Sequence, residues 1–141
     1  MNNISLIILA SGFSRRFVSN KLLYEFHGKK LMEYAFDKAT FFSDVIVVTQ
    51  YEPIKDMAEE QGYRVIMNNH PEYGQGHSIA LGVGACKRDA CIVMVADMPY
   101  LKLDTLKEMV SIQDGEHIVI CEHDGILCNP MLLPECYYEK A

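Results

Sequence analysis

The sequence has no long hydrophobic run, and this absence excludes several classes of protein. The longest uninterrupted apolar stretches, such as residues 6–10 and 91–96, have the length of a strand, whereas a membrane-spanning helix needs about 20 apolar residues. No basic residue precedes the first apolar run, so we expect no signal peptide. The sequence therefore predicts a cytoplasmic protein without a membrane segment.

Paired cysteines are also lacking. The five cysteines include no Cys-x-x-Cys pair, and an odd number without signs of secretion favours reduced, mostly buried thiols. The alternative is a zinc site, although the spacing of the available ligands matches none of the usual paired-ligand patterns. Those ligands are Cys121, His123, Cys128 and Cys136.

The chain has no excess of positive charge. Its formal net charge of −6 argues against general nucleic-acid binding, which usually requires a basic face. Residues 1–40 nevertheless hold six Lys and Arg against three Asp and Glu, which leaves −9 for the remaining residues. This asymmetry predicts a local anion site near the first loop of an otherwise acidic protein. The alternative is a chance cluster of solvated charges.

Strand and helix patterns alternate along the 141 residues, which are enough for one domain with a single core. Apolar segments predict strands at 4–9, 45–49, 63–67, 91–96 and 118–121, a short edge strand at 130–133, and helices at 31–42, 53–61, 78–86 and from 103. This order predicts a three-layer, doubly wound α/β domain with a mainly parallel sheet. Ligands of such sheets bind beyond the carboxyl ends of the strands.

Single residues give further expectations about the helices and the last strand. Gly62 is placed to end the second helix in a left-handed conformation. Gly82 and Gly84 indicate close packing of the third helix against a strand, and Asp104 or Thr105 is the expected N-cap of the fourth helix. An uncovered apolar edge at 130–133 would favour self-association.

The loop after the first strand carries the clearest chemical signal. It places Ser11 and Gly12 directly after a buried strand and then adds three cations, Arg15, Arg16 and Lys21. Small residues let backbone N–H groups approach phosphate oxygens, and the cations neutralise them. The loop is not a GxxxxGK[ST] phosphate loop, and residues 74–79 do not complete a GxGxxG motif. The pattern therefore predicts an anion site of a different kind.

At this point the sequence resembles a known family. The segments LASGFSRRF and NKLL, at 9–17 and 20–23, resemble the LAAGxSxRFGxxKLL signature of GT-A-like nucleotidyltransferases, especially the molybdenum-cofactor cytidylyltransferases. Weaker matches follow in the same order: GKKL at 28–31, GQGHSI at 74–79, DMP at 97–99 and NPMLL at 129–133. The resemblance covers nearly the whole chain. It implies a Rossmann-like fold and CMP transfer from CTP to a phosphorylated molybdenum cofactor, with release of pyrophosphate.

The resemblance also implies roles for residues at matching positions. The nucleotide would meet the first loop and the later glycine-and-serine loop, through Leu9, Ala10, Ser11, Gly12, Ser14, Gly74 and Ser78. Arg16 and Lys21 would hold the triphosphate, and Asp97 would bind Mg²⁺. Purely structural alternatives remain open. Ser78 would also suit the N-cap of a helix, and Asp97 would also suit a turn before Pro99. His70 and His77 are left out of the chemistry, because a phosphate nucleophile needs no deprotonating base at neutral pH.

Several positions depart from the family pattern: Val18 and Cys128 replace glycines, and Lys30 replaces a proline. Family members also continue beyond the last motif, so we expect CTP binding with Mg²⁺ to exceed the capacity for transfer. Two other functions stay open. One is nucleotidyl transfer to a sugar phosphate or an isoprenoid precursor, and the other is nucleotide binding without turnover.

Overall fold

The computed structural model describes residues 4–10, 25–26, 28–70, 73, 75–86, 90–96, 101–123 and 126–134. Strands and helices alternate through these residues, in agreement with the predicted α/β class. The strands are β1 (Ile4–Ala10), β2 (Glu25–Phe26), β3 (Lys29–Lys30), β4 (Asp44–Thr49), β5 (Arg64–Met67), β6 (Ala90–Val95), β7 (Val119–His123) and β8 (Ile126–Pro134). The helices are α1 (Leu31–Ala39), α2 (Glu52–Glu60), α3 (Gln75–Ala85) and α4 (Leu103–Ile112).

Six strands form the main sheet in the order β5-β4-β1-β6-β8-β7, and β2 and β3 form a separate antiparallel pair. The pairings of β5 with β4, β4 with β1, and β1 with β6 are parallel, whereas β8 runs antiparallel to both of its neighbours. The strand order reverses between β1 and β6. Because ligands bind at such a reversal in open α/β sheets, the fold predicts a ligand site at the carboxyl end of β1.

The sheet lies between two helical layers, which confirms the three-layer prediction. One face of β1 packs with α1, α2 and α4 through residues such as Leu6, Ile54 and Leu106. The other face packs with α3 through Ile7, Leu9 and Val83. All seven residues of β1 are buried, because a central strand covered on both faces needs apolar side chains throughout.

The end of α2 confirms the role predicted for Gly62. Its φ of +84° lies in the left-handed region that glycine enters without steric cost. The N–H of Gly62 donates to the carbonyl of Glu59 at 3.0 Å, and the N–H of Tyr63 donates to that of Ala58 at 3.0 Å. These two bonds form a Schellman motif and satisfy carbonyls that the helix leaves open.

Helix α1 ends three residues earlier than the predicted residue 42. The N–H groups of Phe41 and Phe42 donate to the carbonyls three residues before them, those of Lys38 and Ala39, so the chain tightens into a turn. Phe42 is thereby buried in the core. The apolar spacing predicted a continuous helix to residue 42 and not this change of backbone geometry.

The two glycines of α3 behave differently. A Cβ on Gly82 would lie 2.6 Å from Ile7 Cγ2, too close for two carbon atoms, so only glycine lets α3 approach β1 here. Gly84 is exposed, and a Cβ there would meet no atom within 4 Å. The prediction of close packing is therefore confirmed for Gly82 and wrong for Gly84.

The predicted cap of α4 is wrong. The helix begins at Leu103 after an N-cap at Lys102 that makes no side-chain cap hydrogen bond. Asp104 and Thr105 consequently lie inside the first turn, and the N–H of Thr105 donates to the carbonyl of Lys102 at 3.1 Å. A carboxylate in the first turn still interacts favourably with the helix dipole.

The strand predicted at 130–133 is present, but the prediction that it is short and at an edge is wrong. Strand β8 is nine residues long and lies between β6 and β7, with Pro130, Leu132 and Leu133 buried. Proline is normally excluded from inner strands because it lacks an N–H. Here the register with β7 jumps from Ile120 and Met131 to Cys121 and Cys128, so Pro130 falls in a bulge. The self-association inferred from an uncovered 130–133 segment loses its basis.

Two expectations from composition concern burial and membranes. Cys86 and Cys91 are buried and reduced, as predicted, while the side chains of the other three cysteines lie outside the described residues. Among the described helices, α1 to α4, none combines the length and hydrophobicity that crossing a membrane requires. The cytoplasmic location stays a prediction.

Candidate functional site

Four parallel strands end together and define what we call the carboxyl edge, at Ala10, Thr49, Met67 and Val95. The predicted loops after β1, β5 and β6 therefore leave the sheet from one edge, as expected. Ala96 is fixed there, because its N–H donates to the carbonyl of Leu9 at 3.0 Å. Leu9 and Ala10, two predicted nucleotide-binding residues, are buried at the reversal of strand order.

Thr49 connects the ends of three strands through hydrogen bonds. Its hydroxyl donates to the carbonyl of Ala10 at 2.9 Å and accepts from the N–H of Tyr51 at 3.1 Å. Its carbonyl accepts from the N–H of Asn68 at 2.8 Å. Because Thr49 is fully buried, these bonds form in a low-dielectric setting where an unpaired polar group would be costly. They fix the carbonyl end of β1, from which the predicted nucleotide loop departs.

Asn68 extends this connection to Ser78. Its side-chain Nδ2 donates to Ser78 Oγ at 2.9 Å, and its Oδ1 accepts from the N–H of His70 at 2.9 Å. Asn68 and Ser78 are 2% and 4% exposed, so their positions are set by the fold and not by solvent. The bonds thus join Ala10, Thr49, Asn68 and Ser78 into one network, which we call the edge network.

The helix-cap alternative for Ser78 is wrong. Helix α3 begins at Gln75, so Ser78 lies within the helix and its side chain turns to Asn68. The structure places Ser78 at the carboxyl edge, where the resemblance expects a nucleotide contact. That contact itself stays a prediction.

Seven predicted site residues lie outside the described residues. They are Ser11, Gly12, Ser14, Arg16, Lys21, Gly74 and Asp97. In the sequence, Ser11 directly follows Ala10 and Asp97 directly follows Ala96. The described neighbours of both residues are therefore at the carboxyl edge, and the roles of all seven remain predictions.

Two members of the edge network were missed from the sequence. Thr49 was counted only as the last residue of a strand, and Asn68 only as part of a loop. The signal that points to them is a polar residue directly at the end of an apolar strand, which occurs in both cases. Thr49 and Asn68 hold the frame of the site by linking neighbouring strands. Burial raises the pKa of the phenol of Tyr51, which follows β4.

In the part of the chain that the structure describes, one group of three side chains comes close enough to share a metal ion: Asp114, Glu116 and His117. These residues are exposed and precede β7. Because β7 runs parallel to β6, they lie at the opposite end of the sheet from the edge network. They are therefore separate from the predicted Asp97 site. Exposed acidic groups are common on surfaces and carry no site by themselves.

Comparison with known proteins relates this arrangement to nucleotidyltransferases. The profile of the family described as MobA-like NTP transferase domain matches residues 6–141. A probable molybdenum cofactor guanylyltransferase from a Geobacillus species is 29% identical over 129 residues, covering 89% of this chain and 66% of the relative. A molybdenum cofactor cytidylyltransferase from Escherichia coli is 28% identical over 138 residues, covering 94% and 71%. The chain thus spans about two thirds of the length of these relatives.

The fold matches solved structures more closely than the sequence does. A nucleotidyl transferase from Methanothermobacter thermautotroptrophicus superposes with a TM-score of 0.86 at 19% identity, covering 97% of this chain and 74% of that one. At this identity the likeness concerns the fold alone. It confirms the α/β class derived from the alternation of strands and helices.

Proposed function

Since the chain belongs to the MobA-like NTP transferase domain family, we propose that it transfers CMP from CTP to a phosphorylated molybdenum cofactor. In this reaction an acceptor phosphate oxygen bonds to the α-phosphorus of CTP. The bond from that phosphorus to the oxygen bridging to the β-phosphate breaks, and its electron pair leaves with pyrophosphate. The observation that carries the proposal is the edge network, which brings Ala10 and Ser78 to one edge of the sheet.

The proposed roles divide between a rigid frame and charged groups. The edge network holds the carboxyl end of β1, which the first loop follows in the sequence, and the first turn of α3. Arg16 and Lys21 from that loop would bind the triphosphate and offset charge on the leaving pyrophosphate. Holding two anionic reactants in line is the main demand, because alignment alone can supply about 7 to 11 kcal/mol of a barrier.

Mg²⁺ is proposed at Asp97 on the chemistry of the donor. A carboxylate oxygen is a preferred Mg²⁺ ligand, and this ion usually binds through one or two carboxylates together with substrate phosphates. Asp97 directly follows Ala96, which is bonded to Leu9. When bound, the ion would neutralise phosphate charge. Among the residues of this chain, Asp97 would hold it and Lys21 and Arg16 would complete the charge balance.

GTP is a second candidate donor, because the Geobacillus relative is named a guanylyltransferase whereas the Escherichia coli relative is named a cytidylyltransferase. A thermal-shift screen of the four nucleoside triphosphates with Mg²⁺ separates the two. A ligand at 100 times its dissociation constant adds about 2.7 kcal/mol of stability, so the preferred base gives the largest shift. Equal shifts for all four would refute base selection.

Turnover is tested by pyrophosphate release with the phosphorylated molybdenum cofactor in excess. Release that depends on this acceptor supports the proposal. Release that requires a sugar phosphate or an isoprenoid precursor would replace it with the neighbouring class, and binding without any release would leave a nucleotide-binding protein. We expect the chain to bind CTP but to transfer CMP slowly. Pyrophosphate release at about 1 to 1000 per second, the usual range of enzymes, would contradict this expectation.

The site residues are tested by Lys21→Ala and Asp97→Asn. Loss of a charged phosphate contact is worth about 1.5 to 3 kcal/mol, so Lys21→Ala should weaken CTP binding about 10- to 100-fold while stability holds. Asp97→Asn keeps the shape and should abolish the Mg²⁺ dependence of nucleotide binding. Lys55→Ala, on the outer face of α2, is the control and should bind as wild type. Unchanged affinity in Lys21→Ala, or retained Mg²⁺ dependence in Asp97→Asn, would remove that residue from the site.

A further inference from the structure

Three aromatic rings meet beside the edge network. The rings of His70 and Tyr73 stack with their centroids 4.6 Å apart and an interplanar angle of 7°. The ring of His77 meets Tyr73 edge to face, with centroids 5.1 Å apart and an angle of 77°. Tyr73 is 63% exposed, more than any other large hydrophobic side chain in the described part of the chain. The core therefore does not account for its position.

The backbone attaches this cluster to the candidate site. The N–H of His70 donates to Asn68 Oδ1, and the N–H of Tyr73 donates to the carbonyl of His70 at 3.0 Å. His77 directly precedes Ser78 in the first turn of α3. Asn68 and Ser78 are themselves hydrogen-bonded. His70 and Tyr73 are thus attached through their backbone to Asn68, and His77 is the chain neighbour of Ser78. The residues that carry the rings therefore adjoin both polar side chains at this end of the edge network.

We propose that Tyr73 and His70 form a stacking platform for a planar nitrogen heterocycle of the substrate, either the nucleobase of the donor or the pterin of the acceptor. This inference rests on the proposed function, which supplies substrates of this chemistry. Parallel aromatic rings extend naturally by a further planar ring, since offset stacking is a favoured geometry. Stacking on an aromatic side chain contributes binding free energy to a base, and this contribution does not depend on hydrogen bonds that recognise the base. The platform would therefore position the ring while phosphates are held elsewhere.

A platform differs from an acid or base in what it requires of the side chains. Stacking needs the ring of Tyr73 but not its hydroxyl, so Tyr73→Phe should act as wild type. Tyr73→Ala removes the ring, and His70→Ala removes the ring that supports it. Ile112→Ala is the matched control, because Ile112 is 58% exposed at the end of α4, at the opposite end of the sheet from the platform.

The experiment titrates each variant with CTP, GTP, ribose 5-triphosphate and a pterin monophosphate. Tyr73→Ala should weaken binding of the ring-bearing ligand that the platform holds about 5- to 100-fold. It should leave ribose 5-triphosphate unchanged, because that ligand has phosphates but no base. Loss confined to CTP or GTP assigns the donor base, and loss confined to the pterin assigns the acceptor.

Two results would overturn the platform. Equal loss for ribose 5-triphosphate would show general damage to the segment, and unchanged binding of every ring-bearing ligand would show that the rings do not touch substrate. Failure of the proposed function is a separate result, namely a wild-type chain that binds no triphosphate. In that case the titration with the pterin monophosphate still tests the platform. The platform is refuted if the wild-type chain does not bind the pterin, or if Tyr73→Ala binds it as tightly as wild type.

Discussion

The two ends of the parallel sheet are stabilised by different chemistry. At the amino edge, where β1, β4 and β5 begin, the buried Ser5 hydroxyl donates to Asp44 Oδ2 at 2.5 Å. Arg64 donates to both oxygens of Asp44, at 3.2 and 2.9 Å, and to the carbonyl of Ala85 at 3.2 Å. At the carboxyl edge, the edge network is built from the neutral side chains of Thr49, Asn68 and Ser78.

The contrast shows how stability and binding are separated in this fold. At the amino edge, opposite charges are paired within the protein, so that end gains stability and offers little to an anion. At the carboxyl edge, the bonds of the edge network fix the strand ends through neutral side chains alone. The proposed mechanism assigns phosphate binding to Arg16 and Lys21 of the first loop. Four variants test this separation, from the largest expected effect to the smallest.

Gly82→Val should disturb both edges, because α3 crosses the sheet between them. Even a single Cβ would lie 2.6 Å from Ile7 Cγ2 and 3.3 Å from Val48 Cγ2, and overpacking of this kind costs about 1 to 3 kcal/mol. We expect the upper end of that range in urea denaturation, together with weaker nucleotide binding. Gly84→Ala is the control, since the site is open, and it should gain up to about 1 kcal/mol from helix propensity. A Gly82→Val variant as stable as wild type would refute the close approach.

Asp44→Ala should affect the amino edge alone. It leaves the buried Ser5 hydroxyl and the Arg64 guanidinium without their shared carboxylate, which should cost about 1 to 3 kcal/mol of unfolding free energy. CTP affinity at native conditions should not change. Asp56→Ala, on the exposed face of α2, should leave both quantities unaltered. A loss of affinity in Asp44→Ala at full folding would show that the two edges are coupled.

Asn68→Ala should affect the carboxyl edge, with a smaller cost in stability and a specific cost in binding. It removes the donor to Ser78 Oγ and the acceptor for the His70 N–H, worth about 1 kcal/mol in sum after partial rescue by water. CTP affinity should fall several-fold, because the first turn of α3 loses its link to β5. Asn69→Ala changes the exposed neighbour and should bind normally. Loss of stability without loss of affinity would make Asn68 purely structural.

The smallest effect is expected from the exposed pair Asp114 and His117. Hydrogen bonds from the Glu116 N–H and then from His117 lower the pKa of Asp114 to about 2, and the bond to Asp114 raises the pKa of His117 above 6.5. The histidine contribution is full below pH 6.5 and is lost as the pH rises through the raised pKa. The carboxylate contribution is present above pH 3.8 and is lost as the pH falls toward 2.

Between these two pH limits Asp114 is negatively charged and His117 is positively charged. Because both side chains are exposed, the pair adds little to the free energy of unfolding. An NMR titration of wild type should give a His117 pKa above 6.5, and Asp114→Asn should return it toward that value. The unfolding free energy should hardly change in that variant. A large loss would mean that the amino edge depends on more than its Asp44 pair.

Much of the sheet was predictable because its inner strands are nearly pure apolar runs. Residues 4–10 and 90–95 are buried over almost their whole length, which leaves one interpretation of the pattern. The length and inner position of β8 were not predicted because Asn129 and Pro130 interrupt its apolar residues, and only the bulge makes them compatible with an inner strand. Sequence periodicity carries no signal for a bulge.

The loop residues of the candidate site were assigned from sequence motifs and stay predictions, whereas its frame was missed. Ser78 was found through its motif, yet its partner Asn68 lies ten residues earlier in a segment without periodicity. Side-chain bonds between strand ends depend on register, which the sequence does not encode locally. For Arg16, Lys21 and Asp97 the sequence remains the basis of assignment.

The bulge at Pro130 divides the β7–β8 ribbon into two parts with different support. Met131 to Pro134 pair with β6, and the first two of them also pair with β7, whereas among the described strands Ile126 to Cys128 pair with β7 alone. Two strands alone are marginally stable in water, so the distal part should open by local unfolding while the proximal part opens with the whole sheet. Hydrogen exchange would then be slow for the amides of residues 131–133 and fast for those of residues 126–128. The ribbon would combine a fixed base at residues 131–134 with a distal part at residues 126–128 that opens at little energetic cost.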